Sequence, residues 1–334
     1  MGPRIRKVFP DEPDFDPAAW DIICDVRSPS EWAEDHVPGS ISAPVLDDEQ
    51  RARVGTIYKQ ESPFLAKKVG ASLVAQNLAK IVDEHFLHRE KDTRVLVYCW
   101  RGGDRSLSLA HTLSRVGFDV HLIKGGWKAY RARVRAELPS LGQYDLRLLR
   151  GVTGCQKTKL LHALRRKGAQ VIDLEGAANH KGSILGVNVD SAQPSQKLFE
   201  GRLVAQAARF ERRRPVFVEG ESSLVGQRVV PSALLHAMRA APTVVVGAPM
   251  AERVRFIRRD YEYFEGRAVG ELKERLRRLR QLRGGETVDR WLAQVDAGDF
   301  DAFVQGVQNL CVCLEAPFRQ AVAATFAAAD LDSS

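Results

Sequence analysis

A cysteine in this chain follows an apolar run and begins a glycine-rich turn, because residues 95–106 read VLVYCWRGGDRS. Gly102 and Gly103 allow positive φ angles, so that successive N–H groups can point towards the sulfur of Cys99. A helix that starts near Ser106 would add the positive end of its dipole. These effects favour the thiolate over the thiol. The residue types therefore predict a nucleophilic sulfur that can carry a second chalcogen atom in a persulfide-like adduct.

Two arginines flank these glycines. Arg101 and Arg105 add positive charge beside Cys99 and could also hold an oxyanion. A plain core cysteine next to a turn is the minority interpretation, since the cysteine, two arginines and two glycines fall within seven residues. A protein phosphatase is the stronger rival, because five residues separate Cys99 from Arg105. That chemistry usually places a histidine directly before the cysteine, where this chain has Tyr98.

A second loop, residues 151–158 (GVTGCQKT), has the spacing of a phosphate-binding loop. We predict that it holds a phosphate or a diphosphate. Gln156 departs from the pattern, because it stands where a glycine is expected before the lysine. Its side chain narrows the closest approach of a phosphate, so little ATP or GTP hydrolysis is expected. A loop that binds nothing is the alternative. The candidate phosphate ligands are Gly151, Thr153, Gly154, Cys155, Gln156, Lys157 and Thr158.

The composition is that of a globular protein with two domains. Of the 334 residues, 44% are hydrophobic and 28% are charged, which argues against a disordered or fibrous chain. No apolar run is long enough to span a membrane and no signal-peptide pattern is present, so we expect a cytoplasmic protein without membrane contact. The five cysteines are too scattered for a disulfide framework or a metal site. Cys311 and Cys313 are predicted to be buried small hydrophobic residues.

The net charge of +8 and the pI of about 9.3 favour an anionic partner. Between Leu272 and Arg283, six basic residues face a single acid, Glu274, and leucines recur at helical spacing. One face of such a helix can pack while the other faces carry arginine outward. A solvated helix face is the alternative, but further basic residues elsewhere favour a polyanion. The candidate residues for binding such a polyanion are Lys128, Arg275, Arg277, Arg278 and Arg280.

The elements around the cysteine alternate between strand and helix. Apolar runs at 21–26, 95–99 and 120–123 are typical of short strands, that at 95–99 of one buried in a parallel sheet. Residues 28–31 (SPSE) indicate a helix start, and residues 106–116 form the helix after the cysteine loop. The alternation predicts an α/β domain over residues 1–137. Its cysteine would lie at the end of a strand, where open α/β sheets bind ligands.

A second α/β unit follows a segment with linker character at residues 138–143. A strand at 146–149, the phosphate loop and a helix at 157–166 form its first βα unit. From Met250 onward the pattern is helical. We predict a second parallel sheet and a helical C-terminal part within residues 138–334. The further strands are expected at 170–173, 215–219 and 243–246.

Several blocks of the sequence resemble one family. The first domain is similar to rhodaneses, with Asp25-Val26-Arg27 and residues 36–41 (HVPGSI) in their expected places. The whole chain resembles the tRNA 2-selenouridine synthases, in which a rhodanese domain is fused to a P-loop domain. Several independent blocks in the right order argue against a chance match. They are residues 51–60 (RARVGTIYKQ), 99–106 (CWRGGDRS), 125–129 (GGWKA), 173–186 (DLEGAANHKGSILG), 193–200 (QPSQKLFE) and 218–222 (VEGES).

The resemblance implies an enzyme that modifies tRNA. Members of this family replace the sulfur at carbon 2 of the wobble uridine with selenium from selenophosphate. They also attach a geranyl group from geranyl diphosphate to that sulfur, which turns a poor leaving group into a thioether that departs as a thiol once selenium adds. The implied co-substrates are therefore selenophosphate and geranyl diphosphate. The implied partners are tRNA and an enzyme that supplies selenophosphate.

The resemblance implies that the phosphate loop at residues 151–158 binds the diphosphate of geranyl diphosphate. Its amides and the N-terminus of the next helix would cradle the diphosphate, Lys157 would add a charge, and Thr158 could bind Mg²⁺. Glu219 ends a strand, which is where a P-loop enzyme places its metal-linked acid. The alternative is a strand-end carboxylate that is only solvated. His180 is a candidate acid or base, or makes an ordinary hydrogen bond. The candidate acid or substrate contacts are Asp173, Glu175, His180, Lys181 and Glu219.

Three functions of different classes stay open. The resemblance favours a tRNA-modifying selenium transferase. A rhodanese-type sulfurtransferase or a cysteine-dependent phosphatase, with a regulatory P-loop domain, would act without RNA. A nonenzymatic RNA-binding module would not need Cys99. In the C-terminal part, residues 314–318 (LEAPF) stand where the family has a tyrosine-rich segment, which leaves the tail's share of tRNA binding open.

Overall fold

The α/β class expected from the sequence is confirmed by the computed structural model, which describes residues 5–12, 15–183 and 185–308. The chain forms two compact units. The first contains the described residues up to Gln143 and two later segments, Pro194–Glu211 and Arg228–His236. The second contains the other described residues. Cys311, Cys313 and the segment 314–318 lie outside the described part of the chain.

A parallel five-stranded sheet organises the first unit. The strand order is β1-β5-β4-β2-β3. The central strand β4 alternates its side chains between two buried clusters, one on each face of the sheet, as its apolar run predicts. Since β4 ends at Tyr98, Cys99 leaves the sheet at the carboxyl edge. The strands are β1 (Arg6–Val8), β2 (Ile22–Asp25), β3 (Ser40–Ser42), β4 (Arg94–Tyr98) and β5 (Asp119–Ile123).

The second unit is built on a four-stranded parallel sheet with the order β11-β6-β8-β7. The strand before the phosphate loop, β6, lies between two neighbours and is largely buried. Its position directs the loop to the carboxyl edge of the sheet. The remaining strands of the described residues are β6 (Leu146–Arg150), β7 (Gln170–Ile172), β8 (Val216–Glu219), β9 (Leu224–Val225), β10 (Arg228–Val229) and β11 (Thr243–Val245).

Helices pack on both faces of the first sheet and form the C-terminal part of the second unit. A further helical stretch runs from residue 300 to 308. No helix of the described chain is both long and apolar enough to cross a membrane. The helices are α1 (Pro29–Glu34), α2 (Asp48–Gln60), α3 (Pro63–His85), α4 (Asp104–Val116), α5 (Gly126–Glu137), α6 (Lys157–Arg166), α7 (Leu174–Ala178), α8 (Gln196–Ala207), α9 (Ser232–Ala240), α10 (Met250–Asp260), α11 (Val269–Arg278), α12 (Arg280–Arg283) and α13 (Gly285–Asp296).

The segment expected to be a linker has a structure of its own. Leu138–Gln143 forms a 3-10 helix, and Leu141 within it is almost fully buried. This segment packs against α5 and α8, so it belongs to the first unit. Burial of the apolar Leu141 side chain stabilises this segment against the first unit. Composition alone did not reveal that this leucine is buried.

The C-terminal helices share one apolar core. Phe264, Leu272, Leu276, Trp291 and Phe303 meet there, together with smaller residues from the same helices. Leu272 and Leu276 of α11 and Leu279, directly after this helix, recur four and three residues apart, which puts them on one face. The arginines of α11 therefore project from the other faces, as the sequence predicted.

Candidate functional site

Cys99 lies directly after β4 and is almost fully buried. Its sulfur lies 3.2 Å from the backbone nitrogen of Gly103 and 3.3 Å from the hydroxyl oxygen of Ser106. Burial alone raises the pKa of the Cys99 thiol, but hydrogen bonds from the Ser106 hydroxyl and from neighbouring backbone N–H groups outweigh it, so the net pKa is lowered. The loop therefore favours a thiolate.

The two glycines of this loop serve different purposes. Gly102 has the expected positive φ of 73°, and a Cβ there would lie 3.0 Å from the carbonyl oxygen of Ile123. The expectation of a positive φ at Gly103 is wrong, because its φ of −106° is open to any residue. Gly103 instead donates its N–H to the sulfur and is the N-cap of α4. This helix begins at Asp104, two residues before the expected start.

A third glycine, Gly126, supports the loop from α5. Its φ is 61°, and a Cβ there would lie 2.2 Å from the carbonyl oxygen of Cys99. The next two N–H groups of α5, those of Trp127 and Lys128, donate to the carbonyl oxygens of Cys99 and Trp100 at 2.8 and 3.1 Å. The sequence indicated this glycine only as part of a family block. Its close approach to the cysteine loop is a tertiary contact.

The two arginines of the loop are placed differently. The Arg105 guanidinium donates to Glu31 at 3.0 Å. Burial raises the pKa of Glu31, but the N–H of Ser28 and the charge of Arg105 bring it below its usual value. Arg101 is exposed. Among the described contacts, neither guanidinium donates to the Cys99 sulfur, so their role as anion ligands stays a prediction.

The phosphate loop joins β6 to α6 and places a glutamine in a glycine conformation. Gln156 has φ 62° and ψ 32°, the left-handed region. This region costs a residue with a Cβ roughly 1–2 kcal/mol. In the described chain, Gln156 and Asn179 are the non-glycine residues with positive φ. The backbone therefore keeps the shape that glycine would give the loop, at the cost of strain.

This loop opens onto a cavity of about 560 Å³. All the predicted phosphate ligands line it except Cys155, which is buried. The Lys157 ammonium donates to the carbonyl oxygen of Gly151 at 2.8 Å, so it bridges the two ends of the loop. The Thr158 hydroxyl donates to a carboxylate oxygen of Glu175 at 2.7 Å. The cavity thus offers amides and an ammonium to an anion.

Two glutamates face the same cavity, Glu175 and Glu221. Burial and the charge of Glu175 raise the pKa of Glu221 to about 7. Burial also raises the pKa of Glu175 above its usual value. The pair therefore carries less than its full negative charge near neutral pH, which reduces its repulsion of an anionic ligand. Glu221 was not singled out from the sequence, where the block at 218–222 was its only signal.

Glu219 and Asp173 support the cavity without lining it. Glu219 is fully buried, and one of its carboxyl oxygens accepts the N–H of Leu174 at 2.8 Å. Its other oxygen has no partner among the described residues. Burial and then the charge of Asp173 raise the pKa of Glu219 well above its usual value. The alternative of a solvated carboxylate is wrong for Glu219. Asp173 caps α7 through the N–H of Gly176.

His180 and Lys181 line the cavity, as their place after β7 suggested. Burial and then the charge of Arg275 lower the pKa of His180, so its imidazole is neutral near pH 7. Its Nδ1 is buried and has no partner in the described part of the chain. The Lys181 ammonium lies 3.0 Å from a carboxylate oxygen of Asp260 and 4.3 Å from the ring centre of Tyr261. A neutral imidazole can exchange a proton at this wall.

The arginine-rich segment forms α11 and α12. Acids from outside residues 272–283 also pair with its arginines. Lys128 is exposed on α5. Contact of these residues with tRNA stays a prediction. The ion pairs are Arg275 with Glu271, Arg277 and Arg278 with Glu274, and Arg280 with Asp289.

Family models match two separate parts of the chain. The rhodanese-like domain matches residues 12–133, which contain the Cys99 loop. The tRNA 2-selenouridine synthase AAA domain matches residues 144–284, which contain the phosphate loop. Each reactive loop therefore lies in its own matched region.

Curated proteins named tRNA 2-selenouridine synthase are similar to the chain. The protein from Nitrosomonas europaea is 36% identical over 248 residues, covering 72% of this chain and 63% of the relative. That from Psychromonas ingrahamii is 34% identical, covering 72% and 64%. Both alignments thus span just under two thirds of the relatives' own length. The protein from Hydrogenovibrio crunogenus is 33% identical over 297 residues, covering 82% of this chain and 79% of the relative.

Proposed function

Because this chain belongs to the tRNA 2-selenouridine synthase family, we propose that it replaces the sulfur of 2-thiouridine at the anticodon wobble position of tRNA with selenium from selenophosphate. The reaction would pass through an S-geranylated intermediate made from geranyl diphosphate. One observation carries the proposal: the same chain holds a buried cysteine whose sulfur lies within hydrogen-bond distance of Gly103 and Ser106, and a cavity of about 560 Å³ on a phosphate loop. The reaction would take place in the cytoplasm, with selenophosphate supplied by a partner enzyme.

The two steps balance without an oxidant or a reductant. In the first, the thiocarbonyl sulfur attacks carbon 1 of the geranyl group, the carbon–oxygen bond breaks, and diphosphate leaves. In the second, selenium adds at carbon 2 of the uridine, the carbon–sulfur bond breaks, and geranyl thiol leaves. Water then attacks phosphorus, the selenium–phosphorus bond breaks, and the phosphorus group leaves as phosphate. Alkylation thus comes first, because a thioether leaves as a neutral thiol whereas a thiocarbonyl sulfur does not.

We assign the selenium step to the Cys99 loop. The Ser106 hydroxyl and the Gly103 N–H converge on one soft, largely buried atom, and both stabilise negative charge there. Arg101 and Arg105 follow the same loop, where they would hold the anionic group of selenophosphate. The ion pair between Arg105 and Glu31 keeps that guanidinium close to the loop before the substrate arrives.

We assign the geranyl donor to the phosphate loop. Its amides, the N-terminus of α6 and the Lys157 ammonium would bind the diphosphate and stabilise the charge that develops as it leaves. Thr158 and Glu175, which share a hydrogen bond, are the side chains that would hold Mg²⁺. The described residues contain no cluster of three or more metal-binding side chains. Most ligands of such an ion would therefore be diphosphate oxygens and water.

The phosphatase alternative fits the cysteine loop less well. That chemistry usually places a histidine directly before the cysteine. Here Tyr98 takes that position, where it is fully buried and its hydroxyl oxygen accepts the N–H of Val37 at 3.0 Å. A sulfurtransferase that acts without RNA is distinguished by experiment.

The test uses wobble nucleosides analysed by mass spectrometry. Purified protein is incubated with 2-thiouridine-containing tRNA, geranyl diphosphate and selenophosphate. Cys99→Ser is expected to abolish 2-selenouridine and to let S-geranyl-2-thiouridine accumulate. Cys24→Ala, which changes a buried cysteine on the neighbouring strand, is the control and should form both products. Equal loss of both products in Cys99→Ser contradicts the division of labour, and turnover of thiosulfate without any tRNA product favours the sulfurtransferase.

A further inference from the structure

A second cavity of about 120 Å³ lies inside the C-terminal helical core of the second unit. Its walls are mostly apolar and aromatic. Leu272 and Leu276 of α11 and Leu279, directly after this helix, line it, and Trp291 and Phe303 contribute rings. An apolar cavity of this kind does not bind phosphate groups, in contrast to the neighbouring phosphate loop.

Most of the charged groups around this cavity are paired with one another. Arg258 donates to both carboxylate oxygens of Glu265 at 2.8 and 2.7 Å and also pairs with Asp301 at 3.1 Å. The amide of Gln308 accepts from the buried guanidinium of Arg253 at 2.6 Å. Arg283 is a further charged side chain of the wall, and no acid pairs with it among the described contacts. Apart from this guanidinium, the cavity is lined by apolar side chains, hydroxyl groups and charges that are paired with one another. It suits a neutral hydrocarbon.

The apolar cavity adjoins the phosphate cavity. Thr153 of the phosphate loop, Ser183, Ile257 and Tyr261 line both cavities. The hydroxyl groups of Ser183 and Tyr261 lie 3.1 Å apart, within hydrogen-bond distance at this boundary. A ligand whose diphosphate lies on the loop can therefore extend its chain past Thr153 into the helical core.

We infer that this apolar cavity is the hydrocarbon subsite for the prenyl diphosphate donor. The inference rests on the proposed function, because it assumes that the phosphate loop holds a prenyl diphosphate. The cavity volume of about 120 Å³ is close to the ~150 Å³ of a cavity that holds benzene, so it holds about one five-carbon isoprene unit. In a ten-carbon donor, the distal unit would occupy the cavity and the proximal unit the boundary beside Ile257.

The subsite predicts that affinity depends on chain length. Burying a second isoprene unit should make geranyl diphosphate bind at least about tenfold more tightly than dimethylallyl diphosphate. Inorganic diphosphate binds only to the loop, so it reports on the phosphate cavity alone. Farnesyl diphosphate carries a third unit that the cavity does not accommodate.

The experiment is calorimetric titration of the full chain with these four diphosphates. In Leu279→Phe, an added ring enters the cavity, and we expect loss of most of the geranyl advantage while the Kd for inorganic diphosphate stays within about twofold. Leu292→Phe is the matched control, because Leu292 is a partly buried leucine of the same core that does not line the cavity. Leu279→Ala enlarges the cavity and should improve farnesyl binding, which gives a second test if the phenylalanine disturbs folding.

The outcomes separate the two proposals. A geranyl advantage that is equal in Leu279→Phe and Leu292→Phe, or absent from the wild type, overturns the subsite even where geranylation proceeds. If the wild type binds ATP but none of the diphosphates, the proposed donor itself is wrong and the subsite falls with it. Loss of the geranyl advantage in Leu279→Phe alone supports the subsite.

Discussion

The reactivity of Cys99 depends on a competition between burial and hydrogen bonding. The thiol is largely removed from water, which disfavours its charged form. The Ser106 hydroxyl has one hydrogen and two nearby acceptors, the Cys99 sulfur at 3.3 Å and the carbonyl oxygen of Gly103 at 3.0 Å. Deprotonation of the sulfur makes it the stronger acceptor. The hydroxyl can therefore turn towards the thiolate and stabilise it when it forms.

We predict that Ser106→Ala raises the pKa of Cys99, because it removes the strongest of the hydrogen bonds that lower this pKa. A sulfur with a higher pKa holds its proton to a higher pH. Alkylation at pH 7 should therefore slow, the pH profile of the rate should shift upward, and the two proteins should converge at a pH above both pKa values. The measurement is the rate of iodoacetamide labelling of the Cys99 peptide, followed by mass spectrometry.

The control for this change is Ser108→Ala in the same helix. The Ser108 hydroxyl donates to the carbonyl oxygen of Arg105 at 2.8 Å and is not among the donors to the sulfur. Its profile should match the wild type. A Ser106→Ala profile identical to that of Ser108→Ala would show that backbone N–H groups alone stabilise the thiolate.

Residue types in short segments were enough to identify Cys99 and Gln156 as candidate site residues. Cys99 completes a local pattern of glycines and arginines, and Gln156 departs from the pattern of a phosphate loop. The contacts that tune them come from elsewhere in the chain. Gly126 reaches the cysteine loop from the next βα unit, and Glu31 reaches Arg105 from α1. Glu221 acquires its raised pKa only where β8 brings it to Glu175. A single sequence gives the chemistry of a residue but not the neighbours that set its pKa.

At the scale of elements, strands were predicted more accurately than their connections. The observed ends of β2, β4 and β6 lie within one residue of the expected ends, since buried apolar runs define them. The segment at 138–143 was expected to be a linker, and its 3-10 helix depends on the burial of Leu141. Likewise, the return of Pro194–Glu211 to the first unit is a tertiary fact with no local signature.

The turn between β6 and α6 allows a test of whether the backbone strain and the side chain of Gln156 weaken diphosphate binding. Gln156 holds a left-handed conformation that glycine adopts without cost, and its side chain lines the cavity. We predict that Gln156→Gly binds geranyl diphosphate several-fold more tightly, because it removes both the strain and the obstruction. Lys157→Ala should weaken the same binding by roughly 1.5–3 kcal/mol through loss of a charge-assisted contact. Calorimetric titration measures both changes.

Gln156→Ala separates the two causes. Alanine removes most of the side chain but keeps a Cβ in the left-handed region, so the backbone strain remains. Its affinity for geranyl diphosphate should therefore rise only by the part that comes from removing the obstructing side chain. The wild type is expected to turn over little or no ATP or GTP. Tight ATP binding with rapid hydrolysis by the wild type would contradict this account of the loop.

At the scale of the whole molecule, the sequence gives the net charge directly, but it does not show which charged side chains pair with one another. The net charge of +8 favours an anionic partner such as tRNA. The fold then pairs the arginines of α11 and α12 with acids of their own surroundings. Exposed ion pairs of this kind contribute only about 0–1 kcal/mol, so a tRNA phosphate can displace the acid. The paired arginines therefore remain available to RNA.

We predict that tRNA binding weakens steeply with salt and that this segment provides much of the dependence. Replacing Arg275, Arg277, Arg278 and Arg280 by glutamine should reduce the slope of log K against log salt by about 3, since each lost phosphate contact removes roughly 0.7–0.9. Glu274→Gln should act in the opposite direction, because this carboxylate engages both Arg277 and Arg278. Filter binding at several salt concentrations measures both effects. The charge-matched control replaces four exposed lysines of α2 and α3, Lys59, Lys67, Lys68 and Lys80, by glutamine. If the arginine and lysine variants have equal slopes, α11 and α12 do not contact tRNA.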